Sequence, residues 1–309
     1  MRSIGNNLRI TKIMTKKRIV LATLIILLIL ISAAFLRLNK TWIFYDGAGA
    51  GPIVTLQAKD AFGMTVETRF APPNGFERVP AESGSFADYI RRAELMPEGT
   101  KITYYDGSES NGAQSAVFAF DVGNKDIQQC ADMIIRVFSE YFYSNGEYDR
   151  INFHLTNGTL MKYTDWRGGK RLMAAGNFAA MIRIAGYDDS YISFRRYLEC
   201  VMNYAGTISL AAESRKISLS ELEIGDFLLI PGSPGHVVLV IDKAVNREGE
   251  HCFLFAQGYI PAQSFHVLVN PGSDGDMWYY ESRMTEIIKT SPYTFYHDNI
   301  YRWNGWELF

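Results

Sequence analysis

Gly225-Asp226-Phe227-Leu228-Leu229-Ile230, a turn at residues 231–234, and then Gly235-His236-Val237-Val238-Leu239-Val240-Ile241-Asp242 decide the fold class of this chain. Each run is rich in Val, Leu, Ile or Phe and is bounded by Pro and Gly within a strand's usual length, so both are read as strands rather than helices. Cys252 to Ala256 and Phe265 to Val269 continue the series. Four apolar runs separated by turn residues predict an antiparallel sheet.

Upstream the period changes. Ile127, Ala131, Ile134, Ile135, Phe138 and Phe142 recur at helical spacing behind Asp126 and Gln129, which read as a capping pair. Asp132, Arg136, Ser139, Glu140 and Tyr143 then fall on the wetter face. Ser85 with Asp88 predicts a short helix reaching about Glu94, and a longer one runs from Tyr191 to Tyr204 behind Asp188 to Ser190. Lys101 to Tyr105 and Ser115 to Val122 read as strands. Ile151 to Thr156 and Thr159 to Trp166 flank Asn157-Gly158, the dipeptide that supplies the positive φ angles of a two-residue hairpin. Helices and strands in mixed order predict an α+β domain, an antiparallel sheet packed on helices.

The chain of 309 residues has a formal charge of −2, unevenly spread. The first 40 residues hold 8 basic residues and no acidic one, which leaves 23 basic against 33 acidic in the body. Nothing in so acidic a body forms a stripe that would track phosphates, so nucleic acid is not expected as a partner. Ile19 to Leu36 is apolar except for Thr23 and Ser32, long enough at ~1.5 Å per residue to approach the thickness of a bilayer core. Six basic residues precede it within residues 1–18, and the positive-inside rule keeps that end cytoplasmic. An uncleaved anchor is the expectation; Ser32-Ala33-Ala34 also offers the small residues of a signal-peptide cut. Residues 37–74 read as a spacer and extended lead-in, and residues 75–309 as one extracytoplasmic domain. Cys130, Cys200 and Cys252 are an odd number without metal-ligand spacing, so neither a disulfide framework nor a metal is expected, and no cofactor is implied.

The Gly-Asp before one strand and the Gly-His opening the next resemble the NlpC/P60 and CHAP families of papain-like cell-wall peptidases. That resemblance implies a papain-like fold in which His236 is a general base. A histidine at the mouth of a strand has its backbone held by the sheet while its ring reaches a neighbouring nucleophile. The family would place a cysteine at the start of a helix, and Cys130 is that cysteine, in the first turn where the helix dipole favours a thiolate. It also lies on the apolar stripe, where thiols pack as small apolar groups. Gln257, ending the strand after His236, would orient the ring, with His266 on the next strand as the alternative. The chain departs from the family pattern in the long separation of Cys130 from Gly225 and in lacking Asp-Cys-Ser-Gly. Thr207 and Ser209, in the segment Tyr204 to Leu210 before the Gly-Asp strand, are therefore alternative nucleophiles.

As a whole the chain resembles an uncharacterised bacterial envelope family through Gln128 to Asp132, Tyr204 to Leu210, Pro234-Gly235-His236 and Ala256 to Gln263. This implies a single-pass protein of the bacterial inner membrane with its main domain in the periplasm or otherwise outside the cytoplasm. Two functions are consistent with these residues. One is a cysteine hydrolase acting on an amide or peptide bond in a cell-wall peptide; the other is a non-catalytic module holding a peptide or glycan. Trp278, Tyr279, Tyr280, Tyr301, Trp303 and Trp306 would line a cleft in the second reading or pack in the core.

Overall fold

The computed structural model describes residues 62–111, 116–176, 178–273 and 275–307. The expected cytoplasmic segment, the expected anchor at 19–36 and most of the expected spacer lie outside the described residues. No helix among the described residues is long and apolar enough to cross a membrane.

The domain is α+β, built on a nine-stranded antiparallel sheet. Its strands are β1 (Phe76–Arg78), β2 (Ala116–Val117), β3 (Ser214–Lys216), β4 (Phe227–Ile230), β5 (His236–Asn246), β6 (His251–Gln257), β7 (His266–Val267), β8 (Tyr279–Tyr280) and β9 (Ile300–Trp303). The order is β2-β7-β6-β5-β4-β9-β3, with β1 on the far part of β5 and β8 on β6. The four runs that predicted an antiparallel sheet are β4 to β7.

The strands at the centre are apolar on both faces because both faces are covered. Val237, Leu239 and Ile241 of β5, with Cys252, Leu254 and Ala256 of β6, join the larger core, which contains helix α3 (Cys130–Ser144). Val238, Val240, Phe253 and Phe255 face a smaller core closed by Ile288 and Phe295 of the hairpin Ile287–Lys289/Thr294–Tyr296. Two residues per repeat and opposite faces follow from the pleat.

The other helices are α1 (Val66–Arg69), α2 (Phe86–Arg92), α4 (Tyr163–Arg167), α5 (Tyr191–Met202) and α6 (Thr207–Ala212). Several expectations are corrected. Residues 66–69 are helical rather than extended, and Val66 and Phe70 are buried in the same core as α3. Helix α3 begins at Cys130, capped by Gln129 rather than Asp126, whose carboxylate instead accepts from the Ala262 N–H (2.7 Å). The wetter face expected of α3 is largely buried. Arg136 is held by Asp121 (2.6 Å) and Gln128 Oε1 (2.8 Å), Ser139 donates to the Ile135 carbonyl, and Asp132 is buried as well. Polar residues at helical period therefore marked an internal network, not a solvent face. The hairpin is real but short, Asn152–His154 with Leu160–Lys162. Its second arm turns helical at Tyr163, because Tyr163 and Trp166 share one side of α4 and pack against Tyr197 of α5, tilted and edge-on (5.3 and 6.0 Å between centroids). Residues 101–105 make only isolated bridges at Thr103 and Tyr104. Trp278, Tyr279, Tyr280, Tyr301 and Trp303 are buried, so these aromatics are core.

Candidate active site

Of the expected residues, His236, Gln257 and His266 meet where the sheet opens. Strands β5 and β6 pair from His251↔Val245 to Ala256↔Leu239, and β5 continues past this point to His236 against β4. The start of α3 enters here. A Cβ on Gly258, next after Gln257, would lie 2.9 Å from the Gln129 carbonyl oxygen and 3.1 Å from Met133 Cβ, so the missing side chain lets the strand end close on the helix. Gly235 does the same on the other side. A Cβ there would collide with Thr207 Oγ1 and with the carbonyl oxygens of Gly232 and Ile230.

His236, Gln257 and His266 form one hydrogen-bonded chain, and two backbone carbonyls set its direction. The Ser264 carbonyl can only accept, so His266 donates from Nδ1 (2.9 Å) and its Nε2 is left to accept. The Gln257 amide nitrogen donates to that Nε2 (3.3 Å) and to the Ser291 carbonyl (3.3 Å). Gln257 Oε1 therefore faces His236 and accepts its Nε2–H at 2.7 Å. The neutral His236 ring is left with an unprotonated Nδ1, the form a base requires. Gln257 and His266 are paired in register on neighbouring strands, which is why both side chains fall on one face.

Burial shapes the protonation. It pushes His236 down to about 4, opposed by the Gln257 hydrogen bond and helped by His266. His266 is likewise held near 4 by burial. Tyr293 stacks on the His236 ring (4.3 Å, 18°) and Tyr259 meets its edge (5.3 Å).

Cys130 is the first residue of α3 and only 4% exposed. Burial, then the charge of Asp132, push its thiol up to about 11, against the acidifying N–H groups of Ala131, Val237 and Cys130 itself. The N–H of Val237 places the thiol beside the residue that follows His236. The two side chains approach from different sides: Val237 faces the α3 core, and the His236 ring turns toward Tyr293 and Phe295. Among the described residues no hydrogen bond joins the Cys130 thiol to an imidazole nitrogen. At neutral pH both groups are uncharged.

Thr207 Oγ1 donates to the Gly232 carbonyl (3.1 Å) and accepts from the Gly232 N–H (3.3 Å), pinning the turn before His236. Ser209 Oγ bonds both backbone groups of Gly206 at the start of α6. Both hydroxyls are committed to backbone. Cys200 lies near the end of α5 and Cys252 is buried in β6, and burial raises both thiols.

A cleft of about 370 Å³ opens over the start of α3, bordered by Cys130, Asp132, Gly206, Thr207, Gly235 and Ile260. Asp132 accepts the Gln129 N–H through Oδ2 (3.1 Å), while its buried Oδ1 has no hydrogen-bond partner among the described residues. Burial lifts its carboxyl to about 8. Asp132, Tyr259 and Tyr293 were missed in the sequence. Tyr259 follows Gln257-Gly258 directly, which was a usable signal, whereas nothing in the local pattern marks Tyr293. Among the described residues no group of three His, Cys, Asp or Glu side chains could hold a metal ion.

No curated protein and no solved structure matches the chain. The family model described as Domain of unknown function (4846) matches residues 66–302, and the chain belongs to that family.

Proposed function

We propose that the domain is a cysteine hydrolase of an amide or peptide bond, related in layout to the NlpC/P60-like, papain-fold peptidases and held at the bacterial cell envelope by the segment at 19–36. The observation that carries this reading is the His266–Gln257–His236 chain, which leaves His236 Nδ1 free as a base one residue from the strand N–H that meets the Cys130 thiol. This mechanism requires the Cys130 thiol and the His236 ring, which face different sides of the sheet, to come together: Cys130 then attacks the scissile carbonyl as His236 takes the thiol proton. His236 then protonates the leaving amine, and water releases the acyl group. Both partners begin neutral, so the thiolate forms as the ring takes the proton and no ion pair pre-exists. The substrate class, a cell-wall peptide, rests on the family resemblance alone.

The second reading, a non-catalytic module for a peptide or glycan, is favoured by one observation: thiol and imidazole face different sides of the sheet. Thiol alkylation at neutral pH, mapped to each cysteine by mass spectrometry, separates the two. The hydrolase reading expects Cys130 to label faster than Cys252 and at least tenfold slower in His236→Ala, with cleavage of cell-wall peptides abolished in Cys130→Ala. A Cys130 that labels only on unfolding, together with peptide binding unchanged in Cys130→Ala, would establish the binding module instead.

A further inference from the structure

We propose that the turn at residues 290–293 is an autoinhibitory lid: it holds the His236 ring away from Cys130, and the site becomes competent when the turn lifts and the ring rotates. Its purpose rests on the cysteine-hydrolase reading, which needs a thiol and an imidazole that the structure keeps on different sides of the sheet. The turn joins the arms of the hairpin Ile287–Lys289/Thr294–Tyr296, a two-stranded sheet of its own outside the nine-stranded one. Ile288 and Phe295 seat those arms in the smaller core. The turn closes on itself, the Thr290 N–H and hydroxyl both donating to the Tyr293 carbonyl (2.8 and 3.1 Å), and Ser291 and Pro292 are exposed. Two contacts then tie it to the site. Tyr293 lies nearly flat on the His236 ring (4.3 Å, 18°), and the Ser291 carbonyl accepts from the Gln257 amide (3.3 Å). That amide is the one whose oxygen holds His236 Nε2 at 2.7 Å.

The distance from the closed to the competent arrangement is short. The Cys130 thiol meets the N–H of Val237, the peptide directly after His236, so its sulfur lies within ~6 Å of the His236 Cα. His236 is the first residue of β5. At a strand end, a change of one staggered χ1 rotamer carries a ring past the last rung instead of through the sheet. The Tyr293 face, the edge-on Tyr259 ring (5.3 Å) and the Gln257 hydrogen bond oppose that rotation. The turn supplies the first of these and, through Ser291, braces the third. Among the described residues no carboxylate or cation acts on the ring; Gln257 and His266 are the groups that do. Closure therefore depends on one stack and one hydrogen-bond chain, a balance that a single side chain can shift.

The test uses the full chain with Tyr293→Ala, and with Tyr293→Leu as a second variant that fills the space without a ring to stack. The readouts are the rate at which iodoacetamide alkylates Cys130 at pH 7, mapped by mass spectrometry, and the ¹⁵N titration of His236. Alkylation of Cys130 is expected to rise at least threefold in both variants, and the gain should vanish in Tyr293→Ala/His236→Ala. In Tyr293→Ala the His236 midpoint should move up from about 4 by at least one pH unit, because water reaches the ring. Tyr293→Phe, which restores a ring, should return both readouts toward their native values. A native midpoint together with a native Cys130 rate in the folded variants would overturn the lid. So would an equal gain in the double variant, which would make the turn a cover for the thiol alone. A raised midpoint with a native Cys130 rate would leave the lid over His236 standing and overturn the hydrolase reading instead.

Discussion

Gln257 shows how one amide sets the chemistry of two imidazoles. Its nitrogen is committed to the Ser291 carbonyl and His266, so its oxygen must accept from His236 Nε2. Replacing it with Leu leaves both rings without that partner in a buried setting, at a cost of ~1–3 kcal/mol for each group left unsatisfied. The functional consequence is separable from that loss. In the native protein at pH 7, ¹⁵N shifts should show His236 protonated at Nε2 alone, and Gln257→Leu should populate the Nδ1–H tautomer and slow any hydrolysis by ~10²–10⁴-fold. An unchanged tautomer in the variant would show that something other than Gln257 orients the ring. Gln257 and His266 were legible because a polar residue ending an apolar strand has to be accounted for by a partner. Tyr293, which stacks on the same ring from a hairpin 57 positions away in the chain, was not, since stacking across that separation leaves no periodic trace.

Between elements, the decisive contact is the approach of the β6 end to the start of α3 at Gly258. No positive φ is needed there; the requirement is space. Ala at this position meets a backbone carbonyl at 2.9 Å, so the strand end or the helix must move, and overpacking of this kind costs ~1–3 kcal/mol. Gly258→Ala is expected to lower the denaturation midpoint and to change the alkylation rate of Cys130, because the displaced element carries the thiol. A variant with native stability and native labelling would show that the helix start and strand end move independently. The strands β4 to β7 were readable as bounded apolar runs. The start of α3 was misplaced because Asp126 and Gln129 have capping spacing, but Asp126 is spent on the Ala262 N–H from a distant loop. Local pattern does not see a tertiary partner that takes a capping group away. The same blindness put Asp132 and Arg136 in solvent when both belong to the interior.

For the whole molecule, the buried ionisable groups give stability a defined dependence on pH. His236 and His266 are held near 4 in the fold against an ordinary value of 6.5. The unfolded chain therefore binds more protons between those limits, and stability, complete above 6.5, is lost as pH falls toward 4. Each ring contributes a slope of up to ~1.4 kcal/mol per pH unit in that window. Asp132 acts in the opposite sense. Its carboxyl is raised from 3.8 to about 8, so the fold retains a proton that the unfolded chain has released, and stability present below about 4 is lost as pH rises toward 8. Glu213 and Asp226, also raised by burial, act in the direction of Asp132. The imidazoles lower stability toward acid and the raised carboxyls lower it toward alkali, so the maximum lies between about pH 4 and about 8. Denaturant titrations at pH 4.5, 6.5 and 8 should locate that maximum, with a fall on either side of it. Asp132→Asn, which keeps an oxygen for the Gln129 N–H, should flatten the alkaline side, and His266→Gln should reduce the acidic slope by about half of one imidazole pair's contribution. An alkaline side that stays equally steep in Asp132→Asn would mean that the carboxyl is ionised in the fold, with its Oδ1 solvated rather than buried without a partner.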